Sequence, residues 1–259
     1  MNRHLLVIGA QRCGTTYLHS LLDAHPEITM ARPARPEPKF FCDVVASAKG
    51  LQWYLDTYFE HADDGQLLGD KSTSYLEDPE AAVRARDMLG EAQVVVMLRD
   101  PIGRAVSNWR FSTENGFEER PLETALRENL ARPEAWDPTV TSVSPFAYLE
   151  RGRYLDHLEP WFTAFPDKVH VVFLSEVLGD GSTLERLWET LGVDPGVGPP
   201  PREEAVNRSE VEAPALSGAL RGTLETYFEA SDRALGARLG RPLPWGRTHG
   251  EGGTTRDRG

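Results

Sequence analysis

The sequence predicts an α/β fold of three layers, a mainly parallel central sheet flanked by helices. Three observations carry this. Leu5–Ile8 and Val94–Leu98 are unbroken apolar runs and Val169–Leu174 is apolar but for His170, the pattern of buried strands. Segments of helical periodicity lie between them, so strands and helices alternate. The turn Gly9–Thr16, between the first strand and the first helix, has the G-x-x-x-x-G-T-T spacing of a phosphate loop.

The elements follow in order. After Leu5–Ile8, Tyr17, Leu18, Leu21 and Leu22 lie at helical spacing until His25-Pro26 stops them. Residues 31–43 carry three prolines and read as a loop. Trp53 to Phe59 reads as a short amphipathic helix, Leu67-Leu68-Gly69 as a short strand, and Pro79–Leu89 as a helix with proline at its start. Val94–Leu98 is the strongest strand. It ends at Arg99-Asp100-Pro101, and a helix follows to Phe111. Residues 116–145 are polar and read as partly helical. Tyr148–Phe165 reads as one long helix, Thr183–Leu191 and Leu216–Leu239 as two more. Residues 1–246 form one domain on this reading, and 247–259, nearly free of apolar residues, a disordered tail.

The 259 residues suit a single core. Hydrophobic residues at 40% and charged residues at 26% exclude fibrous and wholly disordered classes. No apolar run nears the roughly 20 residues that span a bilayer, and the first residues lack a signal-peptide pattern. The net charge of −12 repels nucleic acid, so any bound anion needs a local cluster of donors. Two cysteines, Cys13 and Cys42, are too few for a disulfide framework, and a reducing, cytoplasmic setting is expected. The seven histidines are scattered and form no metal-ligand cluster. Only Lys39, Lys49, Lys71 and Lys168 are lysines, so each is worth locating.

Two anion sites are legible. In the first turn, backbone N–H groups at a helix N-terminus make an anion cradle. Gly14 allows close approach, Thr15 and Thr16 add hydroxyls, Arg12 adds charge, and Cys13 completes the turn. Thr15 stands where a nucleotide kinase carries its phosphate-binding lysine, so a 5′-phosphate suits the turn better than a triphosphate. In the second, Arg99 at a strand end and Ser107 two helical turns on can bracket one phosphate; a salt bridge of Arg99 to Asp100 is the structural alternative. Together they describe a nucleotide with two separate phosphates.

These motifs resemble the sulfotransferases that use 3′-phosphoadenosine 5′-phosphosulfate (PAPS), in the heparan-sulfate-type and bacterial small-molecule branch. The turn resembles that family's 5′-phosphosulfate loop, and Arg99 with Ser107 its 3′-phosphate site. Pro36-Glu37-Pro38-Lys39-Phe40-Phe41 resembles the Glu-x-His-Phe-Phe segment, with Lys39 in place of histidine. Gly69-Asp70-Lys71-Ser72-Thr73-Ser74-Tyr75 resembles Glu-Lys-Thr-Pro-x-Tyr, with Thr73 in place of proline. Gly152-Arg153-Tyr154 with Leu158, Trp161 and Phe165 resembles the mid-chain helix.

The resemblance implies sulfuryl transfer to a hydroxyl or amino group of a small-molecule, lipid or carbohydrate acceptor, without a metal, leaving adenosine 3′,5′-bisphosphate. It assigns Glu37 as base, with Phe40 and Phe41 as an apolar wall that raises its pKa, and Lys71 and Arg12 as stabilisers of developing charge. Arg208, in Asn207-Arg208-Ser209, is the candidate for the family's late basic loop. Lys39, Phe40 and Tyr154 are candidate acceptor contacts; for Tyr154 helix packing is the alternative, and for Trp109 a core role competes with stacking on adenine. A P-loop small-molecule kinase and a non-catalytic nucleotide-binding protein are the rival functions.

Overall fold

The structure, a computed structural model, describes residues 3–132, 134–137, 143–179, 181–200 and 214–246. Five parallel strands form one sheet in the order β2-β3-β1-β4-β5. They are β1 (Arg3–Gly9), β2 (Ile28–Met30), β3 (Leu67–Lys71), β4 (Gln93–Leu98) and β5 (Val169–Phe173). Successive strand residues point to opposite faces. Since Leu5 to Ile8, all of β3 and Val94 to Leu98 are buried, both faces of the sheet are covered. That is the layered arrangement the apolar runs predict.

The helices are α1 (Thr15–Asp23), α2 (Val44–Ser47), α3 (Gly50–Tyr58), α4 (Pro79–Leu89), α5 (Pro101–Glu114), α6 (Leu122–Asn129), α7 (Tyr154–Ala164), α8 (Leu174–Gly179), α9 (Gly181–Leu191) and α10 (Gly218–Leu239). Asp-Pro pairs start two of them. Asp78 accepts from the N–H groups of Glu80 and Ala81, and Asp100 from those of Ile102 and Gly103, with Pro79 and Pro101 in the first turn.

Three elements differ from expectation. β2 has only three residues, too few for a periodic signal. Asp70 and Lys71 lie inside β3 rather than beyond it. The expected helix 148–165 is broken: a 3₁₀ turn at Glu150–Gly152 precedes α7. The chain passes so close to α5 and α10 there that a Cβ on Gly152 would come within 2.9 Å of Pro101 and 2.8 Å of Phe228. The expected tail, 247–259, lies outside the described residues.

The strand order places the site. The connection after β1 runs to β2 on one side of the sheet, and the one after β4 to β5 on the other. A crevice opens between the carboxyl ends of β1 and β4, where such sheets bind ligands. A second core of Ile102, Trp109, Leu126, Tyr148, Leu224 and Phe228 packs α5, α6 and α10 beside it. Trp109 is thus a core residue, and its indole N–H donates to the Arg120 carbonyl.

Candidate active site

A cavity of about 950 Å³ occupies the crevice. Its floor is the Gly9–Thr16 turn. Gly14 caps α1 at φ 86°, a left-handed conformation that favours glycine. A Cβ at this position would lie 2.6 Å from Leu174 Cδ1. Gly14, Thr15 and Thr16 line the cavity, where the first N–H groups of α1 lack helical partners. Cys13 faces inward instead. Its thiol is buried 3.5 Å from the Tyr154 hydroxyl, and burial raises its pKa. Cys13 therefore offers the cavity no side chain.

The second anion site lies against the first. Arg99 Nη1 donates to the Arg12 carbonyl at 3.4 Å, and Arg12 Nε donates to Ser107 Oγ at 3.3 Å. The Arg12 guanidinium also lies 4.8 Å from the Phe111 ring centroid. Desolvation lowers its pKa, the nearby Arg99 and Arg104 in the same sense, with Glu114 opposing. Asp100 spends its carboxylate on capping α5, so the alternative of an Arg99–Asp100 salt bridge does not form. Arg12 thus reaches the Arg99–Ser107 side of the crevice, away from the side where Lys71 lies.

On the opposite wall, Lys71 Nζ pairs with Glu37 Oε1 at 2.6 Å. Glu37 Oε2 accepts from the Thr73 N–H at 2.9 Å and the Thr73 hydroxyl at 3.0 Å. The side chains of Lys71 and Glu37 are 7% and 17% exposed, so this pair is shielded yet open to the cavity. Thr73, which the sequence marks only as a departure from proline, supplies two of the three bonds to Glu37. A proline there would have neither the N–H nor the hydroxyl.

Two sequence candidates lie elsewhere. Phe40 is fully buried, its ring centroid 4.7 Å from that of Tyr54 and 5.8 Å from that of Trp53. It cannot touch an acceptor, and Phe41 is equally buried, so neither ring presents a surface to the cavity. Tyr154 is also buried. Its hydroxyl donates to the Arg99 carbonyl at 2.9 Å and meets Cys13, tying the turn to the end of β4. Lys39 does line the cavity, with its backbone at φ 47°. Arg208 lies outside the described residues. The sequence reading missed Arg151, which lines the cavity, donates to Gln11 Oε1 at 3.0 Å and pairs with Glu77 at 2.8 Å. Nothing in its local sequence signals this, because both partners are distant in the chain.

Comparison with known proteins gives a consistent family. The sulfotransferase domain model matches residues 2–176. Human heparan sulfate glucosamine 3-O-sulfotransferase 3B1 is 30% identical over 191 residues, 73% of this chain and 45% of that protein. Mouse heparan sulfate glucosamine 3-O-sulfotransferase 3A1 is 31% identical over 161 residues, 62% of this chain and 38% of that protein. The chain spans less than half the length of these curated relatives. A crystal structure of a sulfotransferase from Alicyclobacillus acidocaldarius shares the fold, with a TM-score of 0.73 at 22% identity over 94% of this chain and 98% of that one. No helix among the described residues is long and apolar enough to cross a membrane. A phosphate-type turn and an arginine-lined crevice in a five-stranded parallel sheet, joined to a family match over two thirds of the sequence, place this chain in the sulfotransferase domain family.

Proposed function

We propose that the chain transfers a sulfuryl group from PAPS to a hydroxyl or amino group of a small-molecule, lipid or carbohydrate acceptor. The observation that carries this is the placement of the Glu37–Lys71 pair and the Arg12–Arg99–Ser107 cluster on opposite walls of one cavity. The donor set fits an adenosine carrying phosphates at both ends. N–H groups and hydroxyls of Gly14–Thr16 suit the 5′ group, and Arg99 with Ser107 the 3′-phosphate.

In this reading Glu37 takes the acceptor proton as the acceptor oxygen or nitrogen bonds to sulfur. An ionised carboxylate has about four acceptor sites, and Glu37 uses three on Lys71 and Thr73. A lone pair remains for the proton. Lys71 faces the transferred group and offsets charge on its oxygens. The sulfur–oxygen bond to the 5′-phosphate breaks with its electron pair on the phosphate, where Thr15, Thr16 and the helix N-terminus receive the charge. Arg12, held by Ser107, bridges the two phosphate sites. Lys39 is the cavity-lining candidate for acceptor contact. The residues 143–145 and 214–216 complete the cavity wall and would shape the acceptor pocket.

Free thiols at Cys13 and Cys42 suit a reducing cytoplasm. The negative net charge argues against nucleic acid as partner. The kinase alternative gains nothing from the family comparison.

The test is thermal-shift binding of adenosine 3′,5′-bisphosphate against AMP and ATP, followed by PAPS turnover with a panel of alcohols, amines and phenols. Stabilisation by the bisphosphate alone, with sulfated product from some acceptor, is expected. Equal shifts with AMP, or magnesium-dependent ATP turnover, would reject the reading.

A further inference from the structure

Beneath the Glu37–Lys71 pair lies a carboxylate with no place in this chemistry. Asp70 is fully buried, next to Lys71 on β3. Strand alternation turns Lys71 to the cavity and Asp70 away from it. Three hydroxyls donate to Asp70: Ser72 to Oδ1 at 2.8 Å, and Tyr75 and Tyr54 to Oδ2 at 2.7 and 3.2 Å. Among the described residues no cation pairs with it.

Two of these hydroxyls do a second job. Ser72 Oγ accepts the backbone N–H of Lys39 at 2.9 Å, and the Tyr75 hydroxyl accepts that of Phe41 at 3.4 Å. Lys39 and Phe41 follow Glu37 by two and four residues, and Lys39 is held at φ 47°. Asp70 thus grips, through Ser72 and Tyr75, the strand of loop that delivers Glu37 to Lys71.

An acid at this position has a physical reason. A carboxylate only accepts, so Ser72 and Tyr75 must aim their protons at it. Their lone pairs are then left for the loop N–H groups. An amide at position 70 would donate from its nitrogen, turn one hydroxyl round, and set O–H against N–H at Lys39 or Phe41. We propose that Asp70 is a positioning residue for sulfuryl transfer, orienting the Ser72 and Tyr75 hydroxyls that clamp the Glu37 loop. The inference rests on Glu37 being the base.

Titration follows from the same geometry. Burial raises the Asp70 pKa to about 6, opposed by the hydroxyls of Tyr75, Ser72 and Tyr54, while the Glu37 charge adds to the rise. The titratable groups facing it are Tyr54 and Tyr58 of α3, Tyr75 of the following 3₁₀ turn, and Glu37 of the loop. Proton uptake by Asp70 converts one acceptor to a donor and turns a hydroxyl round, as an amide would.

The test combines kinetics with hydrogen exchange in Asp70→Asn, Asp70→Glu and Ser72→Ala, using an acceptor from the panel above. Asp70→Asn should lower kcat by roughly 10–100-fold, the scale of a misplaced catalytic group, with the donor KM within about twofold. The wild type should lose kcat below about pH 6, and Asp70→Asn should lack that fall. Exchange at residues 37–42 should accelerate while residues 9–16 keep wild-type protection. Asp70→Glu, which keeps the carboxylate, should recover most of kcat. Ser72→Ala removes one arm alone and keeps the test alive if the charge variants fold poorly; it should loosen Lys39 and leave Phe41 protected. Unchanged loop exchange, or a donor KM that rises in step with the loss of kcat, would overturn the proposal. Faster loop exchange in a protein whose wild type sulfates nothing would leave the clamp standing and remove the reaction from it.

Discussion

The Arg99 guanidinium reaches the Arg12 carbonyl at 3.4 Å, so the end of β4 touches the turn that follows β1. Two anion sites about ninety residues apart in sequence become one surface. The β1–β4 pairing brings them together, and the Tyr154 hydroxyl locks them by donating to the Arg99 carbonyl.

Loss of the Arg99 charge should show in the ligand's second phosphate. Arg99→Ala should weaken adenosine 3′,5′-bisphosphate by roughly 10–100-fold, the scale of a charge-assisted hydrogen bond of about 1.5–3 kcal/mol. AMP should be nearly unaffected. Titration calorimetry with both nucleotides checks this, and equal losses would detach Arg99 from the 3′ site.

Glu37→Gln should cut kcat by about 10²–10⁴, the range for a general base. Bisphosphate affinity should hold. The amide can still accept from Thr73, so the loop should stay in place. Wild-type turnover in this variant would take the base role from Glu37.

Tyr154→Phe removes the hydroxyl shared by Cys13 and Arg99 and takes a donor from the part-buried Arg99 carbonyl. A loss of about 1–3 kcal/mol is expected, read by urea unfolding, with weaker nucleotide binding in the same variant. Normal stability with altered acceptor selectivity would instead place Tyr154 in the acceptor site.

Gly14→Ala puts a Cβ on a left-handed residue and 2.6 Å from Leu174 Cδ1. The conformation alone costs about 1–2 kcal/mol, and the clash must displace the turn or α8. Nucleotide binding should fall with stability. A fully active variant would show that the turn has slack.

His4, on β1, contributes to the acid sensitivity, as do His19 and His170, whose pKa values burial also lowers. Burial pushes its pKa down from 6.5 to about 4, and its Nδ1 has no hydrogen-bond partner. The unfolded chain binds this proton first as pH falls. The stability held by neutral His4 is therefore complete above about pH 6.5 and is lost down to about pH 4, roughly 3 kcal/mol in all. His4→Leu should lessen the fall in melting temperature across that window. An unchanged pH slope would place the acid sensitivity in other groups.

Much of this was legible in one dimension. Fully buried strands leave unbroken apolar runs, and β1 and β4 are legible from them; β5, half-buried over Val169–Val171, shows as an apolar stretch broken by His170. Glycine at a left-handed cap and Asp-Pro at a helix start are local requirements, so the turn around Gly14 and the start of α5 at Asp100-Pro101 could be read too. The family motifs named Glu37 and Lys71. β2 escaped because three residues carry no period, and the break at Gly152 because its cause, contact with Phe228 and Pro101, is tertiary.

The sequence by itself determined which residues could carry chemistry and which segments would be strands, since both depend on side-chain type and short-range spacing. Only the tertiary structure decided which way those side chains face. It turned Phe40 and Tyr154 into packing, set Thr73 on Glu37, and hung the Glu37 loop from Asp70 through two hydroxyls. The reason is directional: a hydrogen bond forms only where donor and acceptor meet at the right distance and angle, and the packing of distant segments creates those meetings.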